Sequence, residues 1–157
     1  MSENIPERSE FDSVDPAPPS SERSVADLRN VLCDEDEKMF QRMRALFALR
    51  NIGGKDSVDA LAAAYESELL KHEIAYVMGQ MQDSHAVPHL IERLEDREED
   101  VMVRHEAAEA LGAIGDRTAL DVLEKFVDDE EVVIAESCEV ALDLLNWVAS
   151  KRLDYSD

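Results

Sequence analysis

The chain has 157 residues, 45% of them hydrophobic, which fits one domain with enough apolar side chains for a core. Its 37 acidic residues outnumber its 16 lysines and arginines, and the formal net charge of -21 excludes a nucleic-acid-binding surface, because such a surface needs cations to neutralise phosphate. No apolar run approaches the roughly 18 residues of a membrane span, and the polar N-terminus is no secretory signal, so we expect no membrane partner and a cytoplasmic location.

Residues 1–20 differ in composition from the rest of the chain. They contain four of the five prolines and only three large aliphatic or aromatic residues. A segment this poor in apolar surface cannot offset the entropy that it loses on ordering. We therefore predict a disordered tail or linker at 1–20 that can be removed at little cost in stability. A helical domain at 21–150 and a short C-terminal tail at 151–157 follow it.

The helical domain is built from repeats. Apolar residues recur at helical spacing, and no stretch alternates with the period of two that marks a strand. Four long helices align at 42–53, 71–81, 104–115 and 135–145, with equivalent positions 29, 33 and 31 residues apart. Shorter helices are predicted at 22–33, 56–66, 85–95 and 117–126. This pattern predicts an all-α fold, an α-solenoid of about four two-helix repeats, in which each repeat buries its apolar face against its neighbours.

Two histidine-glutamate pairs occupy the same position in the second and third repeats, at His72-Glu73 and His105-Glu106. A basic residue precedes each pair, and a glycine follows each histidine by seven residues. The first and fourth repeats have Met43-Arg44 and Glu136-Ser137 at this position. Because two of the four repeats have no such pair, packing alone does not require it, and we predict a functional site.

The two histidines are candidate ligands of one metal ion. Stacked helices lie roughly 8–10 Å apart, so His72 and His105 can both reach toward an ion between them. Histidine together with carboxylate suits iron, manganese or zinc. Neighbouring residues on a helix point about 100° apart. We therefore expect Glu73 and Glu106 to serve another metal, a substrate amine or a partner's site.

Two further features have two interpretations each. Gly79 and Gly112, two helical turns after the histidines, indicate either close helix packing or room for a ligand. Acidic clusters at 34–37, 95–100 and 128–131 precede the long helices and predict an acidic rim that suits a cationic substrate. Acidic residues at such places also stabilise helix N-termini without any ligand.

The remaining histidines and the cysteines predict no site by their spacing. His85 and His89 flank Pro88 in a short helix, and we expect both to be ordinary surface histidines. Cys33 and Cys138 form no CxxC motif, so neither a disulfide framework nor a zinc knuckle is predicted.

In these motifs the chain resembles a known family, deoxyhypusine hydroxylase, whose two halves each contain HEAT-like repeats with paired His-Glu motifs. The resemblance covers about residues 13–145. It rests on RALFALRN at 44–51, LKHE at 70–73, MVRHEAAEALGAIGD at 102–116 and ESCEVALD at 136–143, and SVDPAPP at 13–19 is similar to the linker between the halves. A generic HEAT-repeat protein would not carry the two basic-His-Glu motifs together.

The resemblance implies an iron-dependent monooxygenase. The family hydroxylates deoxyhypusine on translation initiation factor 5A with dioxygen and two Fe(2+) ions per complete site, which lie between its two halves. By resemblance, the metal ligands would be His72, Glu73, His105 and Glu106. Glu73 would reach the iron of the opposite half, and Glu106 would also face the substrate amine, which makes these two glutamates the expected catalytic residues. The residues expected to bind substrate are Glu106, Glu109, Gly79 and Gly112.

The chain resembles the linker and C-terminal half of that family, and it has two His-Glu pairs where the family has four. It is then a fragment, a chain that works with a separate N-terminal half, or a protomer that completes the site as a homodimer. A rival of another class is a non-catalytic HEAT-repeat module that binds a basic partner on its acidic edge. The HEAT-like bilin lyases share repeats of this kind and offer a third analogy. The sequence leaves these alternatives open.

Overall fold

The computed structural model of the protein describes residues 5–154, with side chains as far as residue 151. Within this range the chain forms eight α-helices and two short 3₁₀ helices, at Ser84–Ala86 and Arg117–Ala119. The α-helices are α1 (Val25–Leu32), α2 (Met39–Ile52), α3 (Gly54–Ala62), α4 (Glu68–Met81), α5 (Val87–Glu95), α6 (Val101–Ile114), α7 (Leu120–Phe126) and α8 (Val132–Asp154). Among these described residues, no helix has both the length and the apolar character that crossing a bilayer requires.

The predicted all-α class is confirmed, since the described residues contain no named strand and only an isolated bridge between Arg8 and Val14. Each long helix begins three residues earlier than its repeat motif predicted. The last one also ends later, because nothing after Leu145 in the chain is a glycine or proline that would stop a helix. Residues 151–154 therefore belong to α8, which corrects the predicted C-terminal tail, and residues 155–157 lie outside the described range.

The first of two compact units ends at Ala64 and contains α1, α2 and α3. The three helices pack against one another. Their shared core is apolar and includes Leu28, Leu32, Leu46, Leu49 and Leu61. Gly53 and Gly54 turn the chain from α2 into α3 with φ of 70° and 84°, which glycine adopts without strain.

The second unit begins at Tyr65 and is organised around α6, which packs against α4, α5 and α8, while α7 packs against α8. Its core is again aliphatic and includes Ile74, Met78, Leu90, Leu111 and Ile134. Since α6 contacts helices on several sides, it is the element that positions groups from α4 and α8 relative to one another.

The same turn follows α4 and α6. Gln82 and Gly115 end the two helices in the left-handed conformation, with φ of 52° and 77°. An aspartate then caps each 3₁₀ helix, because Asp83 accepts a hydrogen bond from the backbone N of His85 and Asp116 accepts one from Thr118, both at 2.9 Å. These backbone hydrogen bonds hold the pKa of both carboxyl groups below the ordinary aspartate value.

The described part of the N-terminal segment contacts α2, contrary to the expected disordered tail at 1–20. The guanidinium of Arg50 donates to Asp15 at 2.9 and 2.7 Å, and the two side chains are 0% and 11% exposed. The rings of Phe11 and Phe47 lie 4.7 and 5.0 Å from the same guanidinium. Residues 11–15 therefore cover a buried charge of the helical unit, and removing them would expose it; residues 1–4 lie outside the described range.

We expect Asp15→Asn to lower the free energy of unfolding by about 3 kcal/mol, because it removes a carboxylate charge that accepts two hydrogen bonds from the buried guanidinium of Arg50. Asp12→Asn is the matched control, since its partner Arg8 and Asp12 itself are 70% and 80% exposed, and exposed pairs contribute only about 0–1 kcal/mol. Urea unfolding of both variants measures the difference. Equal midpoints for the two variants would show that the N-terminal segment does not stabilise the fold.

Candidate metal centre

Four of the predicted site residues converge between α4 and α6. Nε2 of His72, on α4, lies 3.1 Å from Oε1 of Glu106, on α6. Nε2 of His105 lies 3.7 Å from the same oxygen. One turn further along α6, Oε1 of Glu109 is also 3.7 Å from Nε2 of His105. The ligand atoms of His105, Glu106 and Glu109 all lie within 4.8 Å of one another.

The cluster has a protected side and an open side. The side chains of Glu106 and His105 are 13% and 19% exposed. Those of His72 and Glu109 are 40% and 51% exposed. His105 and Glu106 are therefore largely shielded by protein, whereas His72 and Glu109 border solvent.

The donor set fits a metal ion of the kind that binds nitrogen and oxygen. Ligand atoms held at about 2.0–2.2 Å from one ion lie roughly 3–4 Å from one another, which matches the observed separations. The grouped ligands, one imidazole and two carboxylates, suit iron, manganese or zinc, and the imidazole of His72 lies against one of these carboxylates. The buried thiol of Cys138 on α8 does not compete as a ligand, because burial raises its pKa to about 11 and keeps it protonated.

The basic residues before the histidines are part of the scaffold. Nε of Arg104 donates to the carbonyl of Leu94 at 2.9 Å, ten residues back. In the first unit Nε of Arg42 donates to Leu32 in the same way, at 2.8 Å, although no His-Glu pair follows it. In the first and third repeats the arginine is therefore a clamp between a long helix and the short helix before it, and this clamp does not depend on a His-Glu pair.

Lys71 is held differently from the two arginines. Its Nζ lies 3.1 Å from Oε1 of Glu99, whose other oxygen accepts from Nη1 of Arg93 at 3.0 Å. The Glu99 side chain is 2% exposed, so it is a buried carboxylate shared by two cations. The pairing ties the start of α4 to the loop before α6, which fixes His72 relative to the residues of α6.

Several acids of the predicted acidic rim, including Glu99, form ion pairs or helix caps within the fold. Asp129 is 1% exposed and lies 3.4 Å from Nη1 of Arg97. Asp100 caps α6 by accepting from the backbone N of Met102 at 2.9 Å. Glu99 and Asp129 are therefore buried away from a cationic partner, and Oδ1 of the exposed Asp100 is occupied by the cap. The rim is accordingly weaker than the sequence indicated, and its remaining exposed members include Glu95, Glu98, Asp128 and Glu130.

The two glycines lie where helices approach closely. A Cβ on Gly112 would stand 2.9 Å from Cα of Ala141 on α8, which is closer than real side chains come. A Cβ on Gly79 would stand 3.1 Å from Cα of Ala110 on α6. Packing therefore explains Gly112. Gly79 keeps both interpretations, because it also lines a cleft.

That cleft opens beside the cluster. It has a volume of about 280 Å³. Its lining combines small apolar residues with the two carboxylates of the cluster, and consists of Tyr76, Gly79, Gln80, Glu106, Glu109, Ala110 and Ala113. An aliphatic chain that ends in an amine fits such a lining, since the apolar wall takes the chain and a carboxylate takes the charge.

The structure differs from the sequence prediction of the site in two residues. Ser137 contacts the site but was not predicted, and Glu73 was predicted as a ligand but is not in the cluster. Ser137 of α8 lies 2.6 Å from Nδ1 of His105. The repeat alignment gives a signal for this contact, because Ser137 occupies the position of Glu106 in the next repeat, and Glu106 contacts His72. Glu73 is not among the grouped ligand atoms of the described residues.

Family models define the class of protein. The model for HEAT repeats matches residues 62–143, and that for the PBS lyase HEAT-like repeat matches residues 41–67. The chain belongs to the HEAT-repeat family, which confirms the predicted α-solenoid class.

The individual relatives are more specific. Deoxyhypusine hydroxylase of Gallus gallus is 55% identical over 154 residues, which are 97% of this chain and 52% of that protein. The human protein of the same name is 47% identical over 147 residues, 92% of this chain and 49% of that protein. The solved structure of human deoxyhypusine hydroxylase in complex with glycerol matches with a TM-score of 0.86 and 49% identity, over 90% of this chain and 50% of that one. The chain thus spans about half the length of the relatives it matches.

We expect Gly112→Ala to destabilise the protein more than Gly79→Ala. Inserting a methyl group into close-packed backbone typically costs about 1–3 kcal/mol, and alanine regains about 1 kcal/mol of helix propensity. The net loss for Gly112→Ala should be about 1 kcal/mol, whereas Gly79→Ala, with a longer nearest contact, should be close to neutral. Thermal unfolding of both variants tests this, and a Gly112→Ala protein as stable as the Gly79→Ala protein would contradict the packing explanation.

Proposed function

We propose that this chain supplies one half of a deoxyhypusine monooxygenase, an iron-dependent oxidoreductase that hydroxylates deoxyhypusine on translation initiation factor 5A. The observation that carries the proposal is that both histidines contact one carboxylate oxygen, since Nε2 of His72 and Nε2 of His105 lie 3.1 and 3.7 Å from Oε1 of Glu106. These residues belong to the two His-Glu motifs that the chain shares in pattern with the family it resembles. A reaction on a translation factor would place the protein in the cytoplasm.

In this proposal the histidines and Glu106 hold Fe(2+), with two ions in a complete site. When bound, the non-haem iron would supply the activation of dioxygen for the hydroxylation. Glu73 lies outside the cluster and would reach the iron held by the opposite half. The two-helix frame of α4 and α6 holds His72 and Glu106 at 3.1 Å, so this half brings its own ligands into place before any partner binds.

The cleft beside Glu106 would receive the substrate side chain. Deoxyhypusine has an aliphatic chain and two amines, and the cleft offers Gly79, Ala110 and Ala113 for the chain. Glu109, which is 51% exposed, would pair with an ammonium group, while Glu106 lies between the cleft and the histidines. This arrangement would hold the carbon chain beside the metal ligands and keep the charged amine at the open side.

The complete site requires a second set of His-Glu pairs. A separate N-terminal half or a second copy of this chain would supply it. Either partner would bring the total to four His-Glu pairs. The non-catalytic HEAT-repeat module remains the second candidate function, and it predicts that no metal binds under any condition.

We expect iron to bind strongly only when the second set is present. The isolated chain and its mixture with the N-terminal half of the Gallus gallus relative would be separated by size exclusion under anaerobic conditions with Fe(2+), and iron would be measured in each peak. Two irons per two halves are expected in the dimer or the mixed complex, together with hydroxylation of the deoxyhypusine form of factor 5A. The monomer peak should contain little iron.

The matched variants for this experiment are His105→Ala and His85→Ala. His105 contacts the cluster, whereas His85 pairs with Asp83 at the surface. Iron should be lost with His105→Ala and retained with His85→Ala. Stoichiometric iron on the monomer would overturn the two-part site in favour of a single ion with two histidines and one carboxylate. An absence of iron from every species would leave the binding-module function.

We also expect binding of the factor 5A substrate to weaken as salt rises, because exposed charges are screened over about 8–10 Å at physiological ionic strength. Glu109→Gln should reduce both the affinity and its salt dependence. Glu124→Gln, an equal charge change at an exposed site on α7, serves as the control. Fluorescence anisotropy with a labelled peptide that carries deoxyhypusine measures the effect. If the two variants behave alike, Glu109 has no specific part in binding.

A further inference from the structure

The second ring nitrogen of His105 is engaged by α8. Its Nδ1 lies 2.6 Å from Oγ of Ser137, and the same Oγ lies 2.6 Å from the backbone carbonyl oxygen of Val133. Ser137 is only 6% exposed, so water has little access to compete for these contacts. The Ser137 hydroxyl therefore lies between the carbonyl of Val133, which can only accept a hydrogen bond, and Nδ1 of His105, which can donate or accept one.

Counting protons fixes the direction of both hydrogen bonds. A serine hydroxyl has one proton, and a backbone carbonyl can only accept, so the Ser137 proton goes to Val133. If the proton instead pointed at the histidine, two oxygen lone pairs would face each other at 2.6 Å. Oγ must then accept from His105, and Nδ1 of His105 carries a proton. In the neutral imidazole the lone pair is left on Nε2, the nitrogen that faces Glu106 and Glu109.

We propose that Ser137 is a positioning residue, which holds His105 as the Nδ1–H tautomer and aims its Nε2 lone pair into the cluster. The inference rests on the proposed metal role of His105 and extends it to a residue outside the His-Glu motifs. Metal-binding histidines generally donate their other N–H to an acceptor that fixes the ring and its tautomer. Here that acceptor is a neutral hydroxyl, which is itself locked by its bond to α8.

Two features of the chain make this contact specific. Ser137 stands in the fourth repeat at the position that Glu106 has in the third, and each contacts the histidine of the preceding repeat. The close approach of α6 and α8 at Gly112 and Ala141 lets a short side chain reach the imidazole. An alanine at position 137 would leave Nδ1–H without its acceptor, although the helix would lose nothing in propensity.

The direct test is the tautomer of His105 in the metal-free chain, measured by ¹⁵N chemical shifts of the imidazole at about pH 8.5, where ordinary histidines, with a pKa of about 6.5, are neutral. The His105→Ala spectrum assigns the signal. The unchanged protein should show a protonated Nδ1 and a bare Nε2. Ser137→Ala should shift His105 toward a mixture of tautomers, and Ser137→Thr, which keeps the hydroxyl, should restore the original pattern.

Iron affinity supplies the second measurement, with Fe(2+) as the probe and the iron-binding species of the unchanged protein as the sample. Ser137→Ala should lower the affinity about 10–100-fold, as removal of such outer contacts commonly does. Ser150→Ala is the control on the same helix, because the Ser150 hydroxyl donates to the carbonyl of Trp147 at 2.7 Å in a similar bond. It should leave both the tautomer and the iron affinity unchanged.

The outcomes separate this inference from the proposed function. A His105 signal that is the same in the unchanged protein and in Ser137→Ala would overturn the positioning role even if iron binds. A shift in tautomer with no change in iron affinity would overturn the link to the metal. If the unchanged protein binds no iron in any assembly, the proposed function fails, while the tautomer result still decides whether Ser137 orients His105.

Discussion

The close approach of α6 to both α4 and α8 is the constraint on which the site depends. Glycine stands at each contact, with Gly79 against Ala110 and Gly112 against Ala141. Helices that meet through such small residues bring their backbones near enough for short polar side chains to touch across the gap. A larger residue at position 112 would push α8 outward, and the 2.6 Å contact between His105 and Ser137 would open first.

Repetition then determines which groups meet. The repeat period places the histidine of one repeat against the residue one position later in the next repeat, which gives His72 with Glu106 and His105 with Ser137. Glu106 also lies near His105 and so joins two repeats. Glu73 follows His72 directly but is not among the grouped ligand atoms of the described residues, whereas Glu106, which follows His105 in the same way, is.

Much of this could be predicted from the sequence, because it follows from periodicity. The positions of the long helices and the placement of the two His-Glu motifs on the neighbouring helices α4 and α6 need only the repeat length and the spacing of stacked helices. The features that could not be predicted are contacts between residues far apart in the chain. The bond between Asp15 and Arg50 and the burial of Glu99 between two cations arise from tertiary packing, and no local pattern marks them. Acidic residues look alike in a sequence whether they cap a helix, pair in the interior or face solvent.

Under the proposed function, the uneven exposure of the cluster would divide the work of a half-site between a shielded side and an open side. His105 and Glu106 are 19% and 13% exposed and are backed by α8, so their geometry is set by this chain alone. His72 and Glu109 are 40% and 51% exposed, and Glu109 lines the cleft. A cluster buried on all sides would leave no coordination position for a second half, for dioxygen or for a substrate, whereas one exposed on all sides would not hold its ligands in place. Because Ser137 of α8 contacts His105 on one side while His72 and Glu109 border solvent, the proposed function would have the chain preorganise its ligands and still accept the groups that complete the site.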